Sequence, residues 1–83
     1  MDKLLVSIYV PTLNKSYDVL IPKELTFKEI CIYFQKALND LSGELFIPSK
    51  DYFLSWRDTG EIINPKESAE SFNVPNGAQL MLI

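Results

Sequence analysis

Leu25-Thr26-Phe27-Lys28-Glu29-Ile30 is the stretch that decides the reading of this chain. Thr26 stands three residues before Glu29, so its hydroxyl can accept from the amide of the third helical residue while the Glu29 carboxylate reaches back to the Thr26 amide. Leu25 is placed to pack on Ile30 across that entry. At about 100° per residue, Phe27, Ile30, Cys31, Phe34, Ala37, Leu38 and Leu41 fall in one stripe, the pattern of a helix with a single buried face. Gly43 follows, where a left-handed closing residue is favoured. The spacing predicts a helix over residues 27–42.

Working outward, Leu4, Val6, Ile8 and Val10 alternate with Leu5, Ser7 and Tyr9, a two-residue period that predicts a strand over residues 4–10. Pro11 and Asn14 interrupt it, and Tyr17, Val19 and Ile21 resume the alternation, so the first two strands form a hairpin. Downstream, residues 44–51 read as an irregular connection containing Pro48, residues 52–56 as a strand, and Arg57-Asp58-Thr59-Gly60 as its turn. Glu61-Ile62-Ile63 reads as a short partner strand. Residues 66–73 form a polar excursion pinned by Phe72 and Val74, Asn76-Gly77 a tight turn, and residues 80–83 a final strand. The order is ββαβ(β)β. Its expected core is Leu4, Val6, Ile8, Val19, Ile21, Phe27, Ile30, Phe34, Leu38, Leu54, Trp56, Leu80 and Leu82.

The chain's 83 residues hold one domain, 1–83, and no second core. With 47% hydrophobic and 23% charged residues it is a folding composition, not a disordered one. Eight Lys and Arg against eleven Asp and Glu leave a formal net charge of −3, the wrong sign for tracking a phosphate backbone, so nucleic acid is not an expected partner. Histidine is absent, which removes the commonest general base and zinc ligand. Cys31 is the only cysteine; an intrachain disulfide is impossible and a reducing compartment is expected. No apolar run approaches the ~18–20 residues of a membrane helix, and the opening segment, broken by Ser7 and Pro11, reads as a strand and not as a signal peptide. The expected location is cytoplasmic.

Little in the chain carries catalytic chemistry. Cys31 lies near a helix N-terminus that would lower its pKa, yet it sits on the apolar stripe with no histidine to activate it, and it reads as a small core residue. The carboxylates, Asp2 and Glu44 among them, have no metal-loop spacing, and no glycine-rich phosphate cradle is present. No cofactor and no metal are expected. Asn14-Lys15-Ser16 forms a glycosylation sequon that reads as a turn. Gly43, Gly60 and Gly77 recur every 17 residues, which is reused turn chemistry, since the period is shorter than known repeat units.

Some apolar residues have no place in that core. Ile32 falls among Lys28, Gln35, Lys36 and Asn39 on the helix's polar face. If Leu80 and Leu82 point toward the helix, Met81 and Ile83 point away, and Phe53 and Ser55 join them on the outer sheet face, with Leu5 beside them. Apolar residues grouped on one sheet face mark a contact surface. Leu5, Phe53, Ser55, Met81 and Ile83, with Ile32 as a separate helix surface, are the candidate protein-binding residues.

The order of elements around one capped helix resembles the ubiquitin family. Ser68-Ala69-Glu70-Ser71-Phe72-Asn73-Val74 and Leu80-Met81-Leu82-Ile83 look like ubiquitin's Thr-Leu-Ser-Asp-Tyr-Asn-Ile loop and closing Leu-His-Leu-Val strand, and Ile21, Thr26 and Ile30 match the second strand's end, the helix cap and the first buried turn. The resemblance covers nearly the whole chain and implies an α+β ubiquitin-like β-grasp fold, a mixed sheet packed on one main helix. In that alignment Leu54 takes an inward position, Ser55 replaces the isoleucine at the centre of ubiquitin's recognition patch, and Ile83 stands for the patch's valine. The patch is kept in part. Conjugated relatives continue into a Gly-Gly tail, whereas this chain ends at Ile83, so a module that is not conjugated is expected. Length and ending resemble the YukD-like family, small bacterial accessory components of type VII (WXG100) secretion systems.

The resemblance implies a cytosolic adaptor that docks on protein partners, secretion-system components among them, without catalysis. The alternatives are a ubiquitin-like domain of a different regulatory protein, a self-associating adaptor, and a small thiol enzyme using Cys31.

Overall fold

In the computed structural model, which describes residues 3–43 and 45–83, the first two strands are β1 (Lys3–Val10) and β2 (Lys15–Pro22). They pair antiparallel from Lys3↔Pro22 to Val10↔Lys15. The turn between them closes with the Leu13 amide donating to the Val10 carbonyl at 3.1 Å, and Asn14 takes φ of 51°, a region that asparagine tolerates. The sequon asparagine is therefore a turn residue.

The helix α1 spans Phe27–Leu41. Both arms of its cap form: the Glu29 amide donates to Thr26 Oγ1 at 3.2 Å, and the Thr26 amide donates to Glu29 Oε1 at 3.0 Å. Two further free amides of the first turn, those of Phe27 and Lys28, donate to the carbonyls of Glu67 (2.8 Å) and Pro65 (3.0 Å). The excursion after residue 63 thus completes the helix start from a distance, satisfying donors that every helix leaves open. Gly43, at φ 65°, follows the Ser42 cap, a conformation that costs side-chain-bearing residues roughly 1 kcal/mol.

Strands β3 (Leu54–Trp56) and β4 (Ala78–Leu82) complete a sheet in the order β2-β1-β4-β3. β1 and β4 run parallel with Ile8↔Leu80, and β3 and β4 antiparallel with Leu54↔Leu82. A mixed four-stranded sheet on one helix is the β-grasp arrangement that the resemblance implied. The parity of β1 follows the alternation: Leu4, Val6, Ile8 and Val10 are buried together with Leu80 and Leu82 against Phe27, Ile30, Phe34 and Leu38 of α1.

Several local expectations need correction. The strand over residues 52–56 shortens to β3, although Phe53 and Ile83 still exchange backbone hydrogen bonds at 2.7 and 2.9 Å. Residues 61–63 form a single bridge, Ser55↔Ile62, not a strand. Ala37 and Leu41, expected on the buried stripe, are exposed, while Gln35, expected on the polar face, is buried, because the buried face of α1 runs through Phe27, Ile30, Cys31, Phe34, Gln35 and Leu38. Val19 and Trp56 are only half-buried, the first on an edge strand and the second stacked on Phe72 at 6.2 Å. The excursion is pinned by buried Ala69 and Val74, whereas Phe72 stays exposed with its ring edge-on to Phe27. Phe46, in the connection after α1, is buried against Tyr52 at 5.3 Å, and Ile63 is buried as well. Met1, Asp2 and Glu44 lie outside the described residues.

Candidate functional site

On the outer sheet face the pairing sets Leu5 opposite Leu20, Ser7 opposite Asp18 and Gln79, Tyr9 opposite Ser16 and Met81, and Met81 opposite Ser55. Leu5 borders Gly77, whose amide donates to the Leu5 carbonyl at 2.7 Å. Ile83 lies six residues further along the chain, about 20 Å away at the rise of a strand. Leu5 and Ile83 therefore occupy opposite ends of the face. Between them Arg57 lies across the sheet, its guanidinium 4.5 Å from the centre of the Tyr9 ring and donating to Ser16 Oγ (3.5 Å) and Gln79 Oε1 (3.4 Å). The centre of the face is polar and cationic.

Ser55 is a correction. It was expected to lie on the surface at the centre of that face, and it is 0% exposed, its hydroxyl donating to the Met81 carbonyl at 3.3 Å. Its neighbours across the strand pairing are Met81 and Ile62, and a side chain as short as serine does not rise past them. Met81 is half-buried, while Leu5, Phe53 and Ile83 are exposed. The apolar set is thus divided, not contiguous.

Phe53 belongs instead with Ile32. Both line a cleft of about 250 Å³ between α1 and the segment that leads into β3, whose walls include Phe27, Cys31 and Pro65. A second depression of about 250 Å³ adjoins it, lined by Ile32, Gln35, Lys36, Pro48, Ser49 and Lys50. Ile32, 43% exposed, is shared by both. Lys28, Ile32 and Lys36 follow at four-residue spacing, one turn apart on one helix face, and Lys50 stands on the opposing segment.

A chain of hydrogen bonds holds that segment against the helix. The Ser49 amide donates to Gln35 Oε1 at 2.7 Å, Gln35 Nε2 donates to Cys31 Sγ at 3.5 Å, and the Cys31 thiol donates to the Tyr52 carbonyl at 3.5 Å. Burial pushes the thiol pKa above its ordinary value, and the Gln35 hydrogen bond offsets only part of that shift. A thiol held neutral in this way is a poor nucleophile. Among the described residues no group of three or more His, Cys, Asp or Glu is placed to hold a metal, and no helix of the described residues is long and apolar enough to cross a membrane.

Sequence reasoning missed two further apolar regions. Leu20 and Tyr33, both exposed, line a groove of about 200 Å³ between β2 and α1. Leu45 and Ile47, each 78% exposed, flank the buried Phe46. The alternation in β2 already turned Leu20 outward, whereas the irregular stretch around Phe46 carries no period to read.

No protein-family model matches the chain, and no curated protein sequence matches it. Solved structures do. The ubiquitin-like domain of EccD5 from Mycobacterium xenopi superposes with a TM-score of 0.73 at 18% identity, over 100% of this chain and 94% of that one. The ubiquitin of Caldiarchaeum subterraneum gives 0.70 at 14% identity, over 99% and 92%. The ubiquitin-like domain of the Mycobacterium tuberculosis type VII secretion protein EccD1 gives 0.65 at 14%, over 100% and 99%. Together with the sheet order and the capped helix, these similarities show that the chain has the ubiquitin-like β-grasp fold.

Proposed function

We propose that the chain is a protein-docking module of a bacterial type VII secretion system, acting in the cytoplasm without catalysis. The observation that carries this reading is the similarity over the whole chain to two EccD ubiquitin-like domains. The site supports docking over chemistry: its exposed residues are apolar and cationic, and its one thiol is buried and hydrogen-bonded. The similarity to an archaeal ubiquitin favours a second reading, a ubiquitin-like domain serving a different regulatory system.

Gene deletion in the native host separates the two. The secretion reading expects impaired export of WXG100 substrates, restored by the wild-type gene, and affinity capture of the tagged protein should recover secretion components. Unchanged export together with no secretion component captured would overturn it.

A further inference from the structure

The cleft beside α1 differs in charge from the chain that carries it. The protein has a net charge of −3, yet Lys28, Lys36 and Lys50 line the cleft and its neighbouring depression, and among the described residues no carboxylate lines either. Apolar walls with a rim of one sign select a complementary partner, because opposite charge speeds encounter and like charge repels competitors. Each depression, at about 250 Å³, falls below the ~300–1,000 Å³ of pockets that enclose a drug-sized molecule. Each has room for one large side chain. Ile32 separates the two, and Lys28 to Lys36 spans about 12 Å along the helix axis, the length of a short peptide segment.

We propose that this cleft docks an acidic segment of a partner protein that inserts two large apolar side chains, one on each side of Ile32, and sets its carboxylates against Lys28, Lys36 and Lys50. The proposal rests on the docking reading above but not on the secretion assignment. The concave shape suits inserted side chains and not a flat lipid surface, which an amphipathic element meets with a protruding apolar face. The hydrogen bonds from Ser49 through Gln35 and Cys31 to Tyr52 hold the two walls in place before binding, which lowers the ordering cost of docking.

The test is an amide NMR titration of the whole chain with a short synthetic peptide in which two leucines one helical turn apart are flanked by glutamates. Shifts should concentrate at Lys28, Ile32, Lys36, Lys50 and Phe53, and binding should weaken as salt rises. The double variant Lys28→Glu, Lys50→Glu changes two exposed side chains and should keep the wild-type melting curve. It should bind that peptide about tenfold more weakly and acquire affinity for a peptide with lysines in place of the glutamates. Equal binding by wild type and double variant, or shifts centred on Leu5, Tyr9 and Met81, would overturn the proposal. So would binding to phosphatidylglycerol vesicles without binding to the peptide, or concentration-dependent dimerisation that buries Ile32. Peptide binding in a protein whose deletion leaves export unchanged would uphold the cleft while removing the secretion assignment; loss of export without peptide binding would do the reverse.

Discussion

On the outer sheet face Arg57 lies across Tyr9 and reaches Ser16 and Gln79, while on the helix side Ile32 keeps 43% exposure between Lys28 and Lys36. Both regions combine apolar and cationic side chains, and they use them differently. On the sheet face one long cation folds over its aromatic neighbour, so the charge and the apolar surface consume each other. In the concave cleft the lysines line the walls beside Ile32 and Phe53, so charge and apolar surface remain open to a partner. Residue type alone marks both as candidates. What each cation packs against decides which one is available.

The comparison breaks first at the residue that the cleft shares with the core. Phe27→Ala should cost about 3–5 kcal/mol, because Phe27 is buried while also lining the cleft. Urea unfolding should show the loss, and a change below about 1 kcal/mol would mean that the cleft is not built on the core. Gln35→Ala comes next. It leaves the Ser49 amide without its side-chain acceptor, at a cost of about 1–3 kcal/mol if the amide stays dry. Faster amide exchange at Ser49 with unchanged exchange in β1 would locate the effect in the cleft wall.

On the other face, Arg57→Ala should lower stability by about 0.5–1 kcal/mol and leave peptide binding in the cleft unchanged. Weakened peptide binding in that variant would show that the two faces act together. The smallest effect concerns Cys31, whose pKa is raised by burial from the ordinary 9.0. Between that value and the higher folded one the unfolded chain holds fewer protons, so stability is fully present below pH 9.0 and falls as pH rises through this window. Cys31→Ala should flatten that part of the pH profile when melting curves are compared with wild type. Thiol labelling of the native protein should be slow at neutral pH; fast labelling would revive the thiol-enzyme alternative.

Those outcomes also separate what was readable in the chain from what was not. Thr26, Glu29 and the stripe from Phe27 to Leu38 determined α1, because capping and helical periodicity act between residues three and four apart. Leu4, Val6, Ile8, Leu80 and Leu82 determined which face of the sheet is buried, because strand side chains alternate strictly. At those positions expectation and structure agree, whereas the same helical period misplaced Ala37, Leu41 and Gln35. Ser55, Gln35, Phe46 and the pairing of Ile32 with Phe53 were decided by the tertiary structure. Ser55 is buried by the neighbours that strand pairing places beside it, Gln35 by the Ser49 amide it accepts from 14 residues away, and Phe46 by an irregular connection with no period. The candidate site therefore lay outside the reach of pattern reading: its walls come from residues far apart in sequence, and only packing brings an exposed helix residue and the approach to an edge strand to the two sides of one cleft.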